Sequence, residues 1–250
     1  MQDTAESYYL ASNQMDRLHA MLRSLPESPG VLRLNCEIPN YPSFFPGGRG
    51  YKSRAFPQSP IMFVGHNFDT DIGFRESVKR GSEDHLKMKT WVNMKNSFLA
   101  TAKLDENDCF FTNFYLGAIV HPEPKLGEKK KTANTGAFRC SPQYHEACVK
   151  ALRTQVEILR PTVVALLGGK VPPAFGEAFP VYQCHRGYSL AETQSRQPEA
   201  GHRLQLLPNL YVQVICLTHP ANPRSLESHR AQGLLLRSAI QAGRAKSALA

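Results

Sequence analysis

Apolar residues in this chain come as short unbroken runs separated by stretches of helical spacing, the pattern of fully buried strands alternating with amphipathic helices. Four runs predict strands: residues 60–65 (PIMFVG), 109–113 (CFFTN), 162–167 (TVVALL) and 210–217 (LYVQVICL). Around them, Tyr8, Leu10, Met15, Leu18 and Leu22 make an approximate helical stripe within residues 6–24. Trp91, Met94, Phe98 and Leu99 share one side of a helix over residues 83–103. Ser141 reads as the N-cap of a helix over residues 142–159, which Arg160 and Pro161 close. Gly168 and Gly169 end the third strand and lead into another helical turn, and a last helix covers residues 225–242. The Pro- and Gly-rich residues 26–60 exclude a regular helix and predict an extended, packed loop. Residues 117–139 read as a long polar loop, and residues 180–209 as loops with short strands at most.

The alternation of strand and helix predicts an α/β fold in one domain, with a mostly parallel four-stranded sheet and helices on both faces. Residues 60–250 are the expected α/β domain, and residues 1–59 an N-terminal helix and extension packed on its core. In such sheets ligands bind outside the carboxyl ends of the strands. The polar clusters HNFD, TN and THP fall at those ends, and no P-loop or internal repeat is present.

Composition narrows the class. With 250 residues, 42% hydrophobic and 20% charged, the chain is neither disordered nor fibrous. No run of 18 apolar residues occurs, and the N-terminus carries no signal-peptide apolar region, so a cytoplasmic protein, in the bacterial cytoplasm or nucleoid, is expected. Thirty Lys and Arg against 21 Asp and Glu give a net charge of +9, which points to a polyanionic partner, nucleic acid first, or else to a basic surface without specific role. Six cysteines without a CxxC pair read as reduced, mostly buried thiols. Cys140, His145 and Cys148 have tempting zinc spacing, but they sit on a predicted helix with no matching second pair; no metal and no cofactor are expected.

Four segments in order carry a resemblance: VGHNFDTD (64–71), FFTNF (110–114), LRTQVEILRPTVVALLG (152–168) and LTHPANPR (217–224). Together they resemble the uracil-DNA glycosylase superfamily over residues 60–240, leaving the first 59 unmatched. The resemblance implies a three-layer α/β/α fold and a monofunctional DNA glycosylase, which extrudes a base from DNA and hydrolyses its N-glycosidic bond with water. It implies that His219 donates to the pyrimidine O2 as negative charge develops there, the alternative being a His that caps a nearby helix. Asn113 is implied to read the base edge through its donor and acceptor, or else is a turn-forming Asn.

The first motif, Gly65, His66, Asn67 and Phe68, is similar to the Gly-x-Asn-Pro version, with Phe68 in the place of Pro. Asn67 then positions the water; it cannot act as a general base, so Asp69 or Asp71 is a candidate helper, or else caps a following turn. Gly65, His66 and Phe68 are grouped with the base-binding residues. Phe74 is a candidate to stack on the flipped base, and equally an ordinary core ring. Arg224 occupies the place of the residue that wedges into the vacated stack or pairs with phosphate, a plain helix-start Arg being the competing reading. Lys129, Lys130, Lys131 and Arg139 are candidate phosphate contacts, or a solvated charged loop.

Two departures shape the expected substrate. The closely spaced N-terminal cysteines of cluster-binding members are missing, with only Cys36 in that region. The aromatic gate that blocks C5 substituents in uracil-specific members is replaced by Asp69. A C5-modified pyrimidine, such as the hydroxymethylated or glucosylated cytosine of phage DNA, is therefore the expected target, in antiviral defence. Uracil or mismatched thymine in repair is the alternative, and a relative that binds DNA without turnover is the rival of another class; a monomer is expected.

Overall fold

The computed structural model describes residues 16–18, 20–33, 61–68, 70–72, 89–120, 138–185, 188–222 and 225–247. Its strands are β1 (Val31–Arg33), β2 (Ile61–Gly65), β3 (Cys109–Asn113), β4 (Gly117–Ile119), β5 (Val163–Leu167), β6 (His202–Leu207) and β7 (Leu210–Leu217). Two α-helical pieces, α1 (Lys89–Asn93) and α2 (Ala100–Ala102), flank a π-helical stretch over Met94–Leu99. They are followed by α3 (Pro142–Leu159), α4 (Val171–Ala178), α5 (Leu190–Arg196) and α6 (Leu226–Ser247).

The main sheet runs β3-β2-β5-β7-β6, parallel throughout except for β6, and β1 and β4 form a separate antiparallel pair. Every residue of β2 and β5 is buried because both faces of the sheet are covered, which is why these strands read as continuous apolar runs rather than alternating ones. Period-2 geometry then divides the core. Met62, Val64, Val164, Leu166, Val212 and Val214 face one way, against Leu152 and Val156 of α3 and Phe175 of α4. Ile61, Phe63, Val163, Ala165, Ile215 and Leu217 face the other, against Trp91, Phe98, Leu236 and Ile240. A third cluster joins Leu22 and Leu25 to Phe68, Leu116, Ala118, Phe138, Tyr144 and Cys148.

The sheet thus has five strands where four were expected. The extra strand, β6, belongs to a hairpin turned at Pro208 and Asn209, the latter left-handed at φ 57°. As an edge strand it is half-exposed and carries His202, Arg203 and Gln205, so its hydrophobic signal is weak. Two further elements lie in segments read as loops: β4, at the start of the 117–139 stretch, and α5, within 180–209. A capping box between Ser189 and Glu192 starts α5, and both of its reciprocal hydrogen bonds are made. β1 likewise lies inside the Pro- and Gly-rich stretch. Ser141 caps α3 as expected by accepting from the Tyr144 N–H, and Arg160, left-handed at φ 45°, ends it just before Pro161. Among the described residues no helix is long and apolar enough to cross a membrane.

Candidate active site

Parallel register brings four strand ends to one level. Gly65 pairs with Asn113, Val64 with Leu166, and Leu167 with Leu217. The chain segments that leave these ends are stitched together by backbone hydrogen bonds: Phe114 N–H to Gly65 O at 2.9 Å, Tyr115 N–H to His66 O at 2.9 Å, and Gly168 N–H to Leu217 O at 2.8 Å. His66 and Asn67, Asn113, Gly168 and His219 therefore meet along a single edge of the sheet, the one where doubly wound sheets bind ligands.

His219 is held from several directions. The Ala221 N–H donates to its Nδ1 at 3.2 Å, so a neutral ring carries its proton on Nε2 and presents that N–H as a donor. Its carbonyl accepts from Asn222 N–H at 2.9 Å, closing a turn. Gly168, at φ +89°, adjoins it; the left-handed backbone favours glycine, and a Cβ there would crowd the His219 Cβ at 3.3 Å. Asn93, at the start of the π-helical stretch, donates from Nδ2 to the Pro220 carbonyl at 2.7 Å. Gln232 of α6 accepts the Thr218 N–H at 2.9 Å. Burial holds the His219 ring below the ordinary imidazole range, and His66 nearby pushes it the same way, so near neutral pH it is an uncharged donor.

On the opposite side of the edge, His66 Nδ1 lies 2.9 Å from Asn67 Oδ1. The His66 ring is also held below its usual range, by burial first; the Asn67 hydrogen bond opposes this and the Lys170 charge adds to it. The ring stands edge-on to Tyr115 at 5.2 Å and to Phe138 at 6.4 Å, and those two rings stack on each other at 4.3 Å. Asn113 packs its carboxamide directly over Gly65, where a Cβ would fall on Asn113 Oδ1. A glycine at the end of β2 is thus what allows Asn113 its present position.

The other expected site residues divide as follows. Phe68 is buried in the third core cluster, its N–H bonded to Gly117 O at 3.1 Å; that is a packing position. Asp71 is half-buried in a helical turn beside the buried Thr70, and Arg139 is exposed between Phe138 and Cys140. Asp69, Phe74, Lys129, Lys130, Lys131 and Arg224 lie outside the described residues. Cys148 is buried, and His145 is engaged with Tyr115 Oη at 3.1 Å and with Glu177 rather than with a sulfur. Among the described residues no three His, Cys, Asp or Glu side chains are placed to hold a metal ion.

Several residues of the site carried no signal in the sequence. Tyr115 is linked through His145 to Glu177, which fixes the ring behind His66; burial first, then nearby acidic groups, pushes its phenol up to about 12, so it stays a hydrogen-bond donor. Lys170, exposed on the turn after β5, is the positive charge nearest in effect to His66. Gln194, Gln197 and Gln232 form a side-chain amide network around the end of β7. A glutamine on a helix reads as solvated surface until its strand partner is known, and an exposed Lys after Gly-Gly reads as a turn residue. No protein-family model matches the chain, and no curated protein matches it.

Proposed function

We propose that the protein is a monofunctional DNA glycosylase of the uracil-DNA glycosylase type, with the three-layer α/β/α architecture of that superfamily. The observation that carries this reading is the meeting of the His66–Asn67 pair, Asn113 and a neutral, Nε2-protonated His219 at the carboxyl edge of one parallel sheet.

The chemistry follows from charge. Breaking the bond between C1′ and the base nitrogen leaves positive charge on the sugar and negative charge on the pyrimidine, most of it at O2. A fixed neutral donor gains more from an oxyanion than from a carbonyl, so it lowers the barrier selectively. His219 is preorganised for this by the bond to its Nδ1 and by the contacts that hold its loop. A donor of this kind is worth about 3–4 kcal/mol in rate. Asn113 offers donor and acceptor to the base edge, and the first-motif residues hold the attacking water. The net charge of +9 supports binding to a polyanion.

The substrate we propose is a pyrimidine modified at C5. Support comes from the resemblance: Asp69 stands at the motif position where uracil-specific members carry an aromatic that excludes even a methyl group. Mass spectrometry of bases released from several genomic DNAs, including phage DNA with hydroxymethylated or glucosylated cytosine, tests both parts. Release of the modified base, leaving abasic sites, supports the whole reading. Release of uracil or thymine alone moves the substrate to repair. DNA binding without any released base identifies a non-catalytic relative.

A further inference from the structure

We propose that His66, rather than Asn67, is the general base that takes the proton of the attacking water, and that Asn67 acts by fixing the tautomer of His66. The inference rests on the glycosylase reading and deepens it. A carboxamide oxygen can only accept, so the 2.9 Å contact from Asn67 Oδ1 to His66 Nδ1 puts the ring proton on Nδ1. A neutral His66 then presents a lone pair at Nε2. His219 is the mirror case, with its acceptor nitrogen used by Ala221 N–H and its donor nitrogen left for chemistry. One end of the sheet thus carries two uncharged imidazoles of opposite tautomer, near enough for His66 to depress the His219 pKa. That places a base and an oxyanion donor at one edge of the sheet.

The rest of the geometry fits a base and not an acid. Among the described residues of neighbouring elements, Lys170 after β5 lowers the His66 pKa, His219 after β7 is itself lowered by His66, and the rings of Tyr115 after β3 and of Phe138 stand edge-on to the imidazole. Lys170 disfavours the imidazolium, and Tyr115 is a neutral phenol whose ring only packs on the imidazole. Asn67 has no proton affinity to offer at any ordinary pH. In the step, a water O–H bond breaks and its proton passes to His66 Nε2, while the water oxygen bonds to C1′. The C1′–N bond breaks and its electron pair leaves on the pyrimidine, whose O2 accepts from His219 Nε2–H. The His66 proton is lost to solvent in the next step.

The test is single-turnover base release across about pH 5 to 8, on whichever duplex the wild type cleaves. His66→Ala should slow release by roughly 10²–10⁴-fold with DNA binding kept, and added imidazole should restore part of the rate. The acid limb of the wild-type profile should vanish in His66→Gln, which keeps the side-chain bulk. Asn67→Asp should move that limb to higher pH, because a carboxylate on Nδ1 raises the His66 pKa. If His66→Gln keeps both rate and acid limb, or if Asn67→Asp moves the limb down into the carboxylate range, the inference is overturned and residue 67 handles the water. A wild type that releases no base from any duplex overturns the glycosylase reading itself, and this inference with it.

Discussion

Gln197 holds both backbone groups of Cys216: its Oε1 accepts the Cys216 N–H at 2.9 Å, and its Nε2 donates to the Cys216 carbonyl at 3.0 Å. The last residue of β7 paired with β6 is Val214, opposite His202, where β6 begins. Beyond that point no strand among the described residues pairs with the outer edge of β7, and the side-chain amide of Gln197 bonds the backbone there instead. Gln194 adds a second bond to the same carbonyl and also donates to Gln232, whose oxygen accepts Thr218 N–H. The strand end that delivers His219 is therefore fixed by side chains. Gln197→Leu should destabilise the fold by about 1–3 kcal/mol, read as a lower urea midpoint, because two backbone groups lose their partner. Base release should fall further than the midpoint shift explains, since a displacement of about 1 Å at the donor can cost about 10²-fold in rate.

Gly65 and Asn113 make a second such pair. Gly65→Ala places a methyl group on the Asn113 carboxamide, so the carboxamide must turn away. The expected outcome is a substrate-specific loss: release slowed by at least about tenfold, with weaker discrimination between pyrimidines, while nonspecific DNA affinity stays within about twofold. Competition between two base-containing duplexes reads this directly.

Acid should weaken the fold through three half-buried histidines. His66, His202 and His219 all have native pKa values below the ordinary 6.5, each chiefly from burial. In the window below 6.5 and above the native values, the unfolded chain binds more protons than the native one. Their contribution is thus fully present above 6.5 and is lost as pH falls through the native values. Urea midpoints near pH 7.5 and near pH 5.5 should differ in that direction, and His202→Gln should reduce the difference. A midpoint that rises on acidification is the opposite of what these burial shifts require.

Lys170, exposed at the same edge of the sheet, should contribute to DNA binding as a phosphate contact. Lys170→Ala should weaken binding to all sequences alike and reduce the slope of log affinity against log salt by about one unit. Neutralising Lys129, Lys130 and Lys131 together should reduce it by up to about three units if they grip the backbone. A triple variant with the wild-type slope assigns that run to solvent.

The parallel strands were legible in the sequence because burial on both faces writes them as uninterrupted apolar runs, and their ends landed within a residue of expectation: Gly65, Asn113, Leu167 and Leu217. β6 was not, since an edge strand alternates and its polar half reads as loop. Its turn did leave a trace in Pro208-Asn209, and α5 left one in the Ser189…Glu192 capping signature. His219, Asn67 and Asn113 were visible as polar residues at strand ends. Tyr115, Gln197, Gln232 and Asn93 were not, because each acts through a partner 14 or more residues away in sequence that only folding brings near, as in the 127-residue separation of Asn93 from Pro220. Phe68, grouped with the base by its motif position, packs in the third core cluster, a placement that its apolar side chain alone also predicts.

The central claim is that a neutral His219 stabilises charge on a departing pyrimidine, and one comparison tests it most directly. Single-turnover release should be measured for wild type and His219→Ala on duplexes carrying uracil, 5-hydroxymethylcytosine and its glucosylated form, with DNA affinity measured in parallel. The account predicts that wild type releases the C5-modified base, that His219→Ala slows this by roughly 10²–10³-fold, and that affinity is nearly unchanged. A His219→Ala enzyme that releases base at the wild-type rate, or that loses rate and affinity in equal measure, contradicts it and leaves His219 a structural residue of the β7 turn.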